Sequence, residues 1–132
     1  METYSFESVG IAARTGIEDN LYREGDAYFI RLKTDDSHMN SHGSIHGGML
    51  YTLCLESIAR IMKMRGLEGI GMEGSIHYYR PAFSGDTLKA VVHERRIGRR
   101  TGTYQVELFN EVTEKLLADA TYTIFFQQSY RD

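Results

Sequence analysis

The chain has 132 residues, 42% hydrophobic and 25% charged, with a formal net charge of −3. That length suits one domain able to bury its own core, and the acidic balance gives no support for nucleic-acid binding. A single cysteine, Cys54, excludes an intramolecular disulfide framework and fits a reducing compartment. The first ten residues, METYSFESVG, lack the basic and apolar regions of a secretory signal. No apolar run reaches the roughly 18–20 residues that span a bilayer. The expectation is one domain over residues 1–132, cytoplasmic and away from membranes.

In chain order, residues 1–15 are weakly patterned and read as a short helix or an arm. Residues 17–23 read as a short strand paired with the next one, Asp26–Thr34. There Tyr28, Ile30 and Leu32 alternate with Phe29, Arg31 and Lys33. Residues 35–45, DDSHMNSHGSI, are polar and read as a loop. The next segment, GGMLYTLCLESIARIMKMRG, has no proline and repeats its apolar residues at helical spacing. It ends on Lys63, Arg65 and Gly66, which suit a helix C-terminus. This helix is apolar around most of its circumference, which predicts burial.

The rest alternates with period two. Residues 70–79 form a strand closed by Pro81, the only proline, and residues 86–97 follow a Ser84-Gly85 turn. In residues 103–110, Tyr104, Val106 and Leu108 share one face. In residues 115–127, Leu116, Ala118, Ala120, Tyr122, Ile124 and Phe126 share one face. Tyr78 and Tyr79 fall on opposite faces of their strand, so one of them at most is expected in a pocket. The predicted class is α+β, one long buried helix wrapped by a curved antiparallel sheet. The helix has more apolar surface than one sheet covers, which points to a symmetric partner subunit.

The loop enters the helix through Asn40, Gly43, His46, Gly47 and Gly48. The first N–H groups of a helix lack internal partners and carry the positive end of its dipole. Glycines there let a ligand approach the backbone. A pair of exposed N–H donors would hold a carbonyl oxygen and stabilise it as an oxyanion. Asn40 would add a side-chain donor or position a water. Glu56, the only acid in the helix, would act as general base or nucleophile.

Asn40, His46-Gly47-Gly48, the following helix, Tyr79-Arg80-Pro81 and Gly85-Asp86-Thr87-Leu88 together resemble the PaaI-like branch of the hot-dog thioesterases. The resemblance covers roughly residues 20–126. It implies hydrolysis of acyl-CoA thioesters carrying aryl or short- to medium-chain groups. It also implies a homodimer or dimer of dimers with sites at the interface, and no metal or organic cofactor. Gly47 resembles the oxyanion donor, and Asn40 and His46 the residues that shape the site. The family's acid stands nine residues after the histidine, where this chain has Leu55; Glu56 comes one residue later. One residue turns a helical side chain by about 100°. Glu56 therefore reaches the site only through a shifted helix start or a π-type bulge.

Plainer readings stand beside these. The plain reading of Glu56 is a surface acid paired with Arg60 one turn on. His38, His42 and His46, spaced by four, would suit zinc on a helix, but the residues between them favour a loop. Cys54 reads as a small buried apolar residue. Arg95, Arg96, Arg99 and Arg100 form a solvated hairpin tip; Arg99 and Arg100, with Gly48 and Arg80, are the candidates for contacts to substrate, the guanidiniums on coenzyme A phosphates. Leu55 at the acid position keeps open a non-catalytic acyl-CoA-binding module. A hot-dog dehydratase or hydratase ranks lower, because Asn40 and His46 lack the loop context of an Asp–His pair.

Overall fold

The computed structural model describes residues 1–127, so residues 128–132 of the expected domain lie outside the described residues. The elements are β1 (Glu2–Ser5), α1 (Gly10–Thr15), β2 (Asn20–Glu24), β3 (Ala27–Lys33), a single 3-10 turn (Asp36–His38), α2 (Gly47–Met64), β4 (Gly69–Tyr78), β5 (Thr87–Ile97), β6 (Thr101–Asn110) and β7 (Leu116–Phe126). The strands form one antiparallel sheet in the order β1-β2-β3-β5-β6-β7-β4. α2 lies against β2, β3, β5, β6 and β7. This is the helix wrapped by a sheet that the hydrophobic pattern predicts.

The core forms where the period-two faces meet the helix. Ile30, Leu32, Leu88, Val92, Val106 and Leu108 from the sheet are fully buried with Leu53, Ile58 and Ile61 from α2. α2 runs from the glycine pair to Arg65, its C-cap, and Gly66 follows with φ +71. Glycine adopts that left-handed backbone without a Cβ penalty, which is why the helix stops there.

Two departures from the expected pattern have local causes. Residues 2–5 pair with β2, from Glu2↔Arg23 to Ser5↔Asn20, and four residues are too short a run for alternation to reveal. In β7, Leu117 is buried and Leu116 is half-buried, the reverse of the expectation, because the β6–β7 register shifts between Leu108 and Phe109. Such irregularities flip every residue beyond them to the other face.

β4 closes the sheet. Its inner edge pairs with β7 from Gly69↔Phe126 to Tyr78↔Ala118, and among the described residues its other edge has no strand partner. Ile70 and Met72 are 51% and 59% exposed on it. Between β4 and the second half of α2 lies an open groove of about 710 Å³, bordered by Leu55, Met62, Gly69, Gly71, Tyr122 and Ile124. One face of the helix therefore stays uncovered within the chain.

Candidate active site

The start of α2 is built by its own sequence. His46 is the N-cap, with φ −57 and ψ 131, and its Nδ1 accepts the Gly48 N–H at 2.8 Å. The His46 carbonyl accepts the N–H groups of Met49 at 2.9 Å and Leu50 at 3.2 Å. That leaves the Gly47 N–H, which donates to no acceptor among the described residues. The expected pair of donors is thus a single one: Gly48 is engaged by the histidine, and Gly47 is open at the positive end of the dipole.

The loop before the helix is held by Asn40. Its Oδ1 accepts from the backbone of His42 at 2.8 Å and of Ser44 at 3.1 Å, and its Nδ2 donates to Ser44 Oγ at 2.9 Å. Its side chain is bound up in the turn that delivers His46, a positioning role. His38 is buried behind this loop. Its Nδ1 accepts the Asp35 N–H at 3.0 Å and its Nε2 donates to the Thr15 carbonyl at 2.7 Å. Both ring nitrogens are thereby engaged by backbone. No group of three or more potential metal ligands occurs among the described residues.

A shallow pocket of about 320 Å³ opens at Gly47, bordered by Ile45, Leu50, Tyr78, Tyr79, Arg80 and Pro81. Both tyrosines border it, against the expectation of one at most, because β4 ends at Tyr78 and strand alternation does not extend to Tyr79. Tyr78 donates from its hydroxyl to the Gly47 carbonyl at 2.8 Å. A Cβ placed on Gly47 would stand 3.2 Å from Tyr78 Cζ and from its hydroxyl oxygen, tighter than ordinary contact, so the glycine lets the ring lie against the helix. Tyr79 instead donates to Asp119 at 3.1 Å. Arg80 is exposed and donates to the Leu116 carbonyl at 2.9 Å. The sequence raises Tyr78 only as one of two tyrosines for a pocket, without a role; its place one step before Tyr79-Arg80-Pro81, where the strand ends beside the helix, is the signal that marks it.

Glu56 stands elsewhere. α2 is α-helical from Gly47 to Met64, without the π-type bulge that would swing Glu56 toward Gly47. Nine residues at about 100° each put the two on opposite sides of the helix. Glu56 borders clefts formed with Phe6, Val9, Ile11 and Ala12 of the N-terminal segment. Its Oε2 is buried with no hydrogen-bond partner. Burial raises its pKa, against the lowering pull of Arg60 and Lys63. The simple Glu56–Arg60 pair is not formed either, for the Arg60 guanidinium turns to the Glu18 carbonyl, the Asn20 carbonyl at 3.4 Å and Ser8 Oγ at 3.3 Å.

Leu55, at the position of the family's acid, borders the groove under β4. Arg99 and Arg100 lie in the β5–β6 turn, next to the start of β4, since the Arg100 carbonyl accepts the Phe126 N–H and Phe126 pairs with Gly69. Gly47 lies at the other end of β4, beside Tyr78. At about 3.3 Å per residue the length of that strand separates them by roughly 30 Å. A single chain therefore brings together Asn40, His46, Gly47, Gly48 and Arg80, and not Glu56, Arg99 or Arg100. Cys54 is fully buried and its thiol is pushed up to about 12 by burial, which suits packing and not nucleophilic attack.

The model of the Thioesterase superfamily matches residues 42–117, from the loop through the start of β7. The chain belongs to this family. It is 32% identical over 106 residues to the acyl-coenzyme A thioesterase PaaI of Escherichia coli K12, covering 80% of this chain and 75% of that protein. The solved structure of E. coli PaaI, from the phenylacetic acid degradation operon, superposes with a TM-score of 0.78 at 28% identity, covering 87% of this chain and 82% of that one. A Streptococcus mutans UA159 protein solved with acetyl CoA superposes with a TM-score of 0.75 at 26% identity, covering 81% and 86%. The helix-in-sheet architecture is thus the PaaI-like hot-dog fold.

Proposed function

We propose that this chain hydrolyses acyl-CoA thioesters to the free acid and coenzyme A, with aryl or short- to medium-chain acyl groups. The observation that carries the reading is the open Gly47 N–H at the start of α2. The thioester carbonyl oxygen rests on that donor. As water adds to the carbonyl carbon, the oxygen gains charge beside a fixed N–H and the positive helix end. Collapse of the adduct breaks the C–S bond; of the water's two protons one passes to the departing sulfur and the other to solvent, leaving the carboxylate and the coenzyme A thiol. His46 and Gly48 form the mount that keeps Gly47 in place, and Asn40 holds the mount. The relatives support the substrate class, one named an acyl-coenzyme A thioesterase and one solved with acetyl CoA.

The working unit in this reading is a homodimer, assembling further into a dimer of dimers. The unpaired edge of β4, its exposed Ile70 and Met72, and the open face of α2 support it. A second copy would also bring groups to Gly47 that its own chain keeps distant. Arg99 and Arg100 belong to this proposal as contacts for coenzyme A phosphates. A reducing cytoplasmic setting suits the free Cys54. No helix among the described residues is long and apolar enough to cross a membrane.

The test is release of coenzyme A from a panel of aryl, short and medium acyl-CoA substrates, followed with a thiol reagent. Turnover above the uncatalysed rate supports the proposal. One observation favours a second reading: the helix face beneath β4 carries Leu55 and no carboxylate. Acyl-CoA binding without thiol release would make the chain a binding module.

A further inference from the structure

Oxyanion sites ordinarily present more than one donor to the developing charge. Here Gly48 donates to His46 and the Asn40 amide donates into its own loop. The side-chain donor held at Gly47 is that of Tyr78, on the Gly47 carbonyl oxygen. Its hydroxyl is 2.8 Å from the Gly47 carbonyl oxygen, and the side chain borders the same pocket as Gly47 while remaining 50% exposed. The Gly47 carbonyl lies within α2 and takes part in the helical ladder without the phenol. A turn of the O–H about its C–O bond with a small swing of the half-exposed ring would aim the proton into the pocket without stripping that carbonyl of its helical partner.

We propose that the Tyr78 hydroxyl is the second donor to the thioester carbonyl oxygen, beside the Gly47 N–H. The inference rests on the acyl-CoA reading and adds a catalytic residue to it. Tyr78 keeps its proton throughout: it gives a hydrogen bond to the oxyanion, while water supplies the oxygen and the departing thiolate takes the C–S electron pair. Desolvation raises the phenol's pKa, which keeps the donor in its protonated form at neutral pH.

The experiment compares wild type with Tyr78→Phe in two measurements. The first is steady-state hydrolysis of the best acyl-CoA substrate. The second is the infrared carbonyl band of a bound dethia acyl-CoA, in which a methylene replaces the thioester sulfur. The proposal expects kcat to fall by about tenfold or more, with KM changed by less than about threefold, and the bound carbonyl band to lie at higher frequency in the variant. Thermal unfolding verifies that Tyr78→Phe is folded, and Tyr78→Leu provides a second loss of the hydroxyl if the first is unstable. An unchanged kcat overturns the proposal. So does a lower kcat with an unchanged carbonyl band, which would make Tyr78 a brace for the helix start. If the wild type binds the analogue but hydrolyses nothing, the thioesterase reading fails, and the carbonyl band alone still decides whether Tyr78 donates.

Discussion

The imidazole Nδ1 of His46 accepts the backbone N–H of Gly48 at 2.8 Å, and this bond decides which glycine amide a ligand can use. A histidine at the N-cap consumes one donor of the first helical turn and leaves its neighbour open. The His-Gly-Gly order is therefore a division of labour: cap, donor, anchor.

The first prediction concerns that cap. His46→Ala removes the acceptor, and loss of an N-cap costs about 1 kcal/mol. His46→Asn restores an acceptor and recovers most of the loss. Thermal unfolding of the three proteins checks the order, wild type and Asn above Ala. Turnover should follow the same order, since a frayed first turn misplaces the Gly47 N–H.

Glu56 gives a prediction of opposite sense. Its folded pKa is raised, mainly by burial. A raised carboxylate binds its proton more tightly folded than unfolded, so the folded state is penalised above the folded pKa and relieved as pH falls toward the unfolded value. Glu56→Gln should thus unfold at higher urea than wild type at pH 7.5, with the gap closing near pH 4. Turnover should stay within about twofold of wild type, because Glu56 is half-buried against Phe6, Val9 and Ala12 of its own chain, which cover it from the partner's Gly47 as well. A loss of a hundredfold would return Glu56 to the catalytic machinery.

The free edge of β4 makes the assembly testable. Met72 is 59% exposed on that edge. Lysine on an edge strand opposes strand addition. Met72→Lys should sediment as a monomer where the wild type sediments as a dimer, with activity lost in parallel. A wild-type monomer with full turnover would contradict the dimeric site.

The architecture was legible because its signals are long. Tyr104, Val106 and Leu108 alternate cleanly, and α2 has helical spacing from Met49 to Met62 with Gly66 to end it. Asn40, His46 and Gly47 could be placed because a polar loop meeting a buried helix has few possible geometries. What spacing could not supply was the direction of each polar group. Whether Gly48 donates to a ligand or to His46 depends on one histidine rotamer, and whether Asn40 faces the pocket depends on Ser44. Glu56 was drawn toward the site by being the only acid of the helix, whereas helical phase puts it against Phe6 and Ala12. The bond of Tyr78 to the helix start was hidden because its partner, Gly47, is 31 residues away in sequence.

The central claim rests on one N–H, and proline can delete it. Gly47 is the first residue of α2, the position where proline is best tolerated in a helix. His46, at φ −57 and ψ 131, already has the extended backbone that a residue before proline requires. Gly47→Ala keeps the N–H and adds a methyl at the Tyr78 ring; Gly47→Pro adds comparable bulk and removes the donor. Measured by coenzyme A release, the account predicts that Gly47→Pro loses about a further hundredfold in kcat relative to Gly47→Ala while staying folded. Equal turnover by the two variants would contradict it.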